Sequence, residues 1–124
     1  MSRSILIIDD EEDVKEIAQM GLEMAANWNV ITASSGKEGL NLARDKQPEI
    51  ILLDLMMPDW DGKQTLKEIK ANPETTKIPV ILMTAKTTSA IAKNLADLDI
   101  IGIINKPFRP LQLSEQIEKI LQSK

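Results

Sequence analysis

Acidic side chains follow two apolar runs in this sequence, and a hydroxyl and a cation follow two others. Asp9 and Asp10 come directly after the first run, and Asp54 comes directly after another. Thr84 and Lys106 follow two later runs. Carboxylates that lie together repel one another, which raises at least one pKa unless a cation enters. Carboxylate and carbonyl oxygens suit Mg²⁺, so the acidic residues predict a site for this ion, with Mn²⁺ as the alternative.

These residue types also suit the transfer of a phosphoryl group. A bound cation would keep Asp54 ionised, and an ionised carboxylate is a nucleophile. Lys106 offers a point charge for a phosphoryl oxygen, and Thr84 offers a hydroxyl donor. Phosphoryl transfer depends mainly on positioning and on charge neutralisation, and these groups supply both. The chain contains no Cys and no His. A Ser-His-Asp triad, a phosphohistidine and a Cys- or His-ligated zinc site are therefore excluded.

Short apolar runs that alternate with helical segments would bring these residues together. The runs are mostly continuous, which is typical of strands buried on both faces of a parallel sheet. With right-handed crossovers they predict an α/β fold of the (βα)5 type, with a doubly wound five-stranded parallel sheet. Sites in such sheets lie beyond the carboxyl ends of the strands. The predicted strands are Ile5–Ile8, Val30–Ile31, Ile50–Leu53, Val80–Met83 and Ile100–Ile104.

Local signals place the helices between the strands. Ser35 and Glu38 match a capping box at the start of the second helix. Pro73 should end the third helix, and Pro110 suits the first turn of the last one. Glu12 and Asp13 are interpreted as favourable charges at the start of the first helix. The apolar faces predicted for the first and fourth helices consist of Val14, Ile17, Ala18, Gly21, Leu22 and Ala25, and of Ile91, Leu95 and Leu98.

The composition excludes several other kinds of protein. The chain has 124 residues, 43% of them hydrophobic and 27% charged, which predicts one globular domain over residues 1–124 with no output domain. Its 15 basic and 19 acidic residues give a net charge of −4, which disfavours direct binding to nucleic acid or to a membrane. The sequence has no signal peptide and no apolar run near the roughly 18 residues of a membrane span, so we expect a cytoplasmic protein.

Four segments in register resemble the receiver domains of two-component response regulators, of the single-domain, chemotaxis-regulator-like kind. The resemblance spans the whole chain in order and spacing. It implies the flavodoxin-like fold with strand order 2-1-3-4-5. The segments are Ile7-Ile8-Asp9-Asp10-Glu11, Leu53-Asp54-Leu55-Met56-Met57-Pro58-Asp59-Trp60-Asp61-Gly62, Pro79-Val80-Ile81-Leu82-Met83-Thr84-Ala85 and Lys106-Pro107-Phe108.

The resemblance also implies roles for the acidic residues. Asp54 would be the phosphoacceptor. Asp10 and Asp54 would ligate Mg²⁺ directly, with the backbone carbonyl of Met56 as a third ligand from the protein. Asp9 would act mainly through a metal-bound water.

The phosphoryl group would be contacted by other residues. By the same resemblance, Thr84 and Lys106 would contact it, together with backbone N–H groups near Met56 and Ala85. The bond between Lys106 and Pro107 is cis in the family.

The implied function is a signalling module rather than an enzyme, with at most self-phosphorylation and self-dephosphorylation activity. A sensor histidine kinase or a histidine phosphotransfer protein would donate to Asp54, and a downstream protein would bind the phosphorylated form. One alternative is a pseudo-receiver that binds a partner regardless of phosphorylation. Another is a Mg²⁺-dependent phosphohydrolase, although the run Asp54-Leu55-Met56 lacks the second acid of the haloacid-dehalogenase type.

One departure from the family concerns the switch. Receiver domains often have Tyr or Phe three residues before the lysine, and this chain has Ile103 there. The coupling in which an aromatic ring turns inward as Thr84 moves cannot operate without that ring. We expect a smaller aliphatic rearrangement in its place.

A second departure predicts slow loss of the phosphoryl group. Met56 and Lys86 lie two residues after Asp54 and Thr84, at positions that flank the approach of water in the family. Neither side chain is suited to orient that water. We predict slow self-dephosphorylation, measured by intact mass after removal of the phosphodonor. A half-life of only seconds without added phosphatase would contradict this prediction.

Overall fold

A single sheet of parallel strands forms the centre of the molecule. The structure is a computed structural model, and it describes residues 3–26, 28–55, 60–84, 99–106 and 108–122. Within them the strand order is β2-β1-β3-β4-β5, and every pair is parallel, as predicted. The strands are β1 (Ser4–Ile8), β2 (Asn29–Ala33), β3 (Ile50–Asp54), β4 (Val80–Thr84) and β5 (Gly102–Asn105).

Helices cover both faces of this sheet. Those in the described residues are α1 (Glu12–Ala26), α2 (Gly36–Lys46), α3 (Gly62–Ala71) and α4 (Pro110–Gln122). The helix predicted around Ile91, Leu95 and Leu98 lies outside the described residues, so α4 denotes the C-terminal helix. No helix in the described ranges is long and apolar enough to cross a membrane.

Alternate residues of the central strands pack on opposite faces. Leu6 and Ile8 belong to a cluster with Leu66 and Ile69 of α3. Ile5 and Ile7 belong to a second cluster, which includes residues of α1 and α4. All of β3 and β4 is buried. Because side chains alternate along a strand, continuous apolar runs supply both layers of the core at once.

The predicted helix ends are largely confirmed. Ser35 caps α2 by accepting a bond from the Glu38 N–H at 3.1 Å. The reciprocal bond differs from a standard capping box, because the Glu38 carboxylate accepts from the Ser34 N–H at 2.6 Å. Helix α3 ends at Ala71, two residues before Pro73, as expected for the residues preceding a proline.

Every strand differs from its predicted range at one or both ends, and two strands differ by more than one residue at an end. Strand β2 is longer than Val30–Ile31, because parallel pairing with β1 continues from Asn29 to Ala33. Strand β5 begins at Gly102 rather than Ile100, and its described pairing with β4 begins at that residue.

The buried face of α1 also differs from the prediction. Ala18, Gly21 and Leu22 are buried, but Ile17 is 45% exposed and Ala25 is exposed. Successive helical residues are about 100° apart, so a face centred on Ala18 turns Ile17 towards its edge. Ala25 lies in the last turn of the helix.

The contact between α1 and α4 provides a test of this packing. A Cβ at Gly21 would overlap the carbonyl oxygen of Pro110. In an exposed helix Ala is better than Gly by about 1 kcal/mol. Here we expect Gly21→Ala to lower the free energy of unfolding by about 1–3 kcal/mol, measured in urea. Met24→Ala, on the exposed side of the same helix, should change it by about 0.5 kcal/mol or less. A more stable Gly21→Ala protein would contradict the close packing.

Candidate functional site

The carboxyl ends of four neighbouring strands bring the predicted residues together. Asp9 directly follows β1, Asp54 is the last residue of β3, and Thr84 is the last residue of β4. Lys106 directly follows β5. Since β1, β3, β4 and β5 are adjacent and parallel, all four residues lie at one edge of the sheet. Asp54 and Thr84 are both buried.

Three carboxylates form a cluster at this edge. One oxygen each from Asp9, Asp10 and Asp54 lies within 4.8 Å of the others. Asp9 is fully buried and Asp54 is 3% exposed, whereas Asp10 is exposed. The cluster therefore has two buried members fixed by the sheet and one member open to solvent. A ligand from solution can reach it from the side of Asp10.

The chain around Asp9 is held by its backbone. The Asp9 N–H donates to the carbonyl of Ala33 at 3.0 Å, which ties this residue to the end of β2. Its Oδ1 accepts from the Glu11 N–H at 2.9 Å. Its Oδ2 lies 2.8 Å from Lys106 Nζ. That short approach pairs a buried carboxylate oxygen with a largely buried ammonium.

The ammonium group of Lys106 lies between the two buried carboxylates. Its Nζ is 2.8 Å from Asp9 Oδ2, 3.2 Å from Asp54 Oδ1 and 3.8 Å from Glu11 Oε1. Its backbone N–H donates to the carbonyl of Thr84 at 2.8 Å, which fixes the start of its side chain relative to β4. Both ends of this residue are thus held by the site.

The pKa of Lys106 reflects this position. Burial alone lowers the pKa of an ammonium, but the bonds to Asp9 and Asp54 and their negative charges outweigh burial. The pKa of Lys106 therefore lies above its ordinary value, and the side chain is charged at neutral pH. Its charge stabilises the fold below the ordinary lysine pKa, and this contribution is lost only as the pH rises through the raised value.

The charges of the cluster do not balance. Asp9, Asp10 and Asp54 face one Lys106, so the carboxylates remain in excess. An all-oxygen donor set with one side open to solvent fits Mg²⁺, which prefers a few carboxylates and keeps several waters. The residues present therefore fit the predicted ion.

Some predicted site residues are not described by the structure. Asp9, Asp10, Asp54, Thr84 and Lys106 lie together, as the sequence predicted. The backbone carbonyl of Met56, the backbone near Ala85, Lys86 and the bond before Pro107 lie outside the described residues. Ile103 is half-buried and packs against the cluster of the sheet face that α2 and α3 cover.

A polar bridge beside the site was missed by the sequence reasoning. Lys15 of α1 is buried, and its Nζ contacts Glu12 and Ser34. The sequence alone indicates for Glu12 only a favourable charge at a helix start. The available signal was Lys15 itself, because a cation in the first turns of a helix is unfavourable for the helix dipole.

The fold and the site define a receiver-type protein, in which the strand ends present three carboxylates, a threonine and a lysine. The chain belongs to the response regulator receiver domain family, whose model matches residues 5–118.

Curated relatives support the same assignment. The chain is 32% identical over 122 residues to the alkaline phosphatase synthesis transcriptional regulatory protein PhoP of Bacillus subtilis, covering 98% of this chain and 50% of that protein. It is 30% identical over 122 residues to the phosphate regulon transcriptional regulatory protein PhoB of Pseudomonas aeruginosa, covering 98% of this chain and 53% of that protein. The chain therefore spans about half the length of these relatives.

Solved structures share the fold. The chemotaxis protein CheY4 of Vibrio cholerae superposes with a TM-score of 0.88 at 22% identity, covering 97% of this chain and 99% of that one. The N-terminal domain of a response regulator receiver protein from Methanoculleus marisnigri has a TM-score of 0.77 at 38% identity, covering 95% of each chain. The strand order predicted from the sequence is thus confirmed.

Because negative charge is in excess at the site, we predict that the Asp10 carboxylate lowers the free energy of unfolding without a metal ion and contributes to stability when Mg²⁺ is bound. Without divalent cations, Asp10→Asn should raise the free energy of unfolding by about 1 kcal/mol, because it removes one repelling charge. Adding Mg²⁺ should stabilise the wild type more than the variant, since the ion binds the folded state. Thermal unfolding with and without Mg²⁺ measures both effects. Asp13→Asn removes the same charge from the exposed start of α1 and should not stabilise the protein. If Mg²⁺ stabilised the wild type and Asp10→Asn equally, this would contradict the assignment of Asp10 as a ligand of the ion.

Proposed function

We propose that this chain accepts a phosphoryl group on Asp54 from a phosphohistidine partner, in a Mg²⁺-dependent reaction, and thereby switches its binding to another protein. The observation that carries the proposal is the placement of Asp54. Its buried carboxylate lies 3.2 Å from Lys106 Nζ and within the three-carboxylate cluster. A nucleophile, a cation and a metal-binding donor set thus coincide at one point.

The transfer forms one bond and breaks one. A carboxylate oxygen of Asp54 attacks phosphorus as the P–N bond to the donor imidazole breaks, and the imidazole leaves with the electron pair. Lys106 stabilises the phosphoryl oxygens, and the Thr84 hydroxyl donates to one of them. The backbone N–H groups near Met56 and Ala85 are proposed to assist.

The metal site is proposed to use residues of this chain alone. Asp10 and Asp54 would bind Mg²⁺ directly, with the backbone carbonyl of Met56, and Asp9 would act through a water. When bound, the ion neutralises the excess negative charge and orients a phosphoryl oxygen. Mn²⁺ is the alternative, because it accepts the same oxygen ligands.

Phosphorylation would alter the contacts of Lys106. In the structure this side chain pairs with Asp9 and Asp54. A phosphoryl group adds negative charge at Asp54 and supplies strong acceptor oxygens, so it competes for the ammonium and for the Thr84 hydroxyl. Only a difference in affinity between the two resulting states can carry a signal to a downstream protein.

Several further properties of the chain are proposed from its sequence. These are the receiver domain over residues 1–124, the cytoplasmic location, the lack of direct binding to nucleic acid or membrane, and the self-phosphorylation and self-dephosphorylation activities. The same holds for the choice between a sensor histidine kinase and a histidine phosphotransfer protein as donor.

The proposal is tested by intact mass after incubation with Mg²⁺ and acetyl phosphate. Wild-type protein should gain about 80 Da, the mass of one phosphoryl group, and Asp54→Asn should gain nothing. Asp61→Asn is the matched control, because Asp61 is exposed and caps α3. It should be phosphorylated like the wild type.

Other outcomes identify the competing functions. Steady phosphate release without a stable adduct would favour the phosphohydrolase. No adduct in any protein, even with a cognate kinase, would favour the pseudo-receiver. A gain of mass in Asp54→Asn would contradict the choice of acceptor.

A further inference from the structure

Lys15 occupies a position that two general rules disfavour. It is 4% exposed, and lysine is among the residues least often buried, so its burial depends on its partners. It also lies in the first turns of α1, where the helix dipole repels a cation. Residues that break local rules in a stable fold are expected where a function needs them.

The partners of Lys15 connect two parts of the chain. Its Nζ is 2.7 Å from Glu12 Oε1, within the first turn of α1. The same ammonium donates to the Ser34 hydroxyl, which follows β2. Ser34 Oγ also lies 3.2 Å from Glu12 Oε1 and donates to it, so the three side chains form a closed triangle. The pKa of Glu12 lies below its ordinary value because of the hydrogen bond and the charge of Lys15.

This triangle holds the segment that carries the metal ligands. Asp9 and Asp10 lie between the end of β1 and Glu12. At its first end the segment is tied to β2, because the Asp9 N–H donates to the Ala33 carbonyl at 3.0 Å. At its second end, Lys15 ties Glu12 to Ser34, the residue after Ala33. Both ends of the acidic segment are therefore fastened to the same short stretch of chain.

Ser34, the member of the triangle that follows β2, is also held in place. The Ser34 N–H donates to the Glu38 carboxylate at 2.6 Å, within the first turn of α2. Ser35 caps the same helix. Ser34 is thus held by α2 and can act as an anchor for Lys15.

We propose that Lys15 is a positioning residue for the cation site, which acts through Glu12 and Ser34 to set where Asp10 lies relative to Asp9 and Asp54. The inference rests on the proposed function, since it concerns the same metal-dependent reaction. Asp10 is the exposed member of the cluster and has no strand to fix it. The Lys15 bridge limits its displacement and lowers the cost of ordering it around an ion.

The direction in which Mg²⁺ affinity changes on removal of Lys15 distinguishes a positioning role from a purely electrostatic one. Lys15 is a cation near an acidic cluster, so its charge alone repels Mg²⁺. If charge were its main influence, removing it would tighten Mg²⁺ binding. If it positions Asp10, removing it weakens Mg²⁺ binding even though a repelling charge is lost.

The experiment measures the Mg²⁺ dissociation constant by isothermal titration calorimetry, at a temperature well below the unfolding of each variant. Lys15→Met, which keeps an unbranched apolar stem, should weaken Mg²⁺ binding about tenfold, as loss of an outer-shell partner does at other metal sites. Ser34→Ala should weaken it in the same direction without a change of charge. Lys15→Arg should restore most of the affinity.

Lys119→Met is the matched control. The Lys119 side chain is 75% exposed on α4, and in the described part of the chain its ion pair is with Glu115, one turn earlier. It removes the same charge and should leave the Mg²⁺ dissociation constant unchanged. Phosphorylation of each protein with acetyl phosphate is followed by intact mass, and the rate should fall at limiting Mg²⁺ and recover at saturating Mg²⁺ in Lys15→Met.

The outcomes are distinct. Unchanged or tighter Mg²⁺ binding in Lys15→Met and Ser34→Ala overturns the proposal, and so does a lower unfolding temperature with normal affinity, which indicates a structural role alone. If Lys15→Met does not fold, Ser34→Ala decides. A wild type that binds Mg²⁺ but is never phosphorylated overturns the proposed function and leaves the Lys15 measurement intact.

Discussion

The pairing of Lys106 with two buried carboxylates is the interaction on which this site depends. Asp9 and Asp54 are taken out of water by the sheet, and charged groups are rarely buried without a partner. Lys106, 2.8 Å and 3.2 Å away, supplies that partner but neutralises only part of the charge. The excess that remains favours a divalent cation, so the arrangement that is electrostatically unfavourable without an ion is the one that would suit a metal.

The sheet is what makes this unfavourable arrangement tolerable. Four adjacent parallel strands end at one edge, and their apolar residues are buried on both faces. The strong core offsets the repulsion at the edge, and it fixes the buried carboxylates to rigid elements rather than to loops. Asp10 lacks this support, and the proposed role of the bridge from Lys15 to Glu12 and Ser34 is to supply it from the first helix. The site therefore combines two carboxylates positioned by strand ends with a third, Asp10, that lies open to solvent.

Much of this could be predicted from the sequence, and the reasons are physical. Continuous apolar runs identify strands buried on both faces, and residues directly after them must meet at one edge, which placed Asp9, Asp54 and Lys106 correctly. The strand order followed from a resemblance and not from periodicity. The bridge of Lys15 escaped prediction because it joins residues 19 positions apart, and spacing along one helix does not reveal such contacts. The exposure of Ile17 was not predicted, because the helical period shows which residues share a face but not which of them lies at the solvent edge of that face.

The backbone bond from Lys106 to the Thr84 carbonyl, at 2.8 Å, has a consequence for how the site can move. The Lys106 ammonium and the Thr84 hydroxyl belong to residues whose main chains are joined by this hydrogen bond. The bond therefore keeps the separation of the two main chains nearly constant. If β5 slid along β4, this backbone hydrogen bond would break before the ammonium and the hydroxyl came closer together. A change in their distance must therefore come from rotation about side-chain bonds. Lys has four such bonds and Thr has one, so most of the adjustment to an anion falls to Lys106, while Thr84 contributes mainly the direction in which its hydroxyl points.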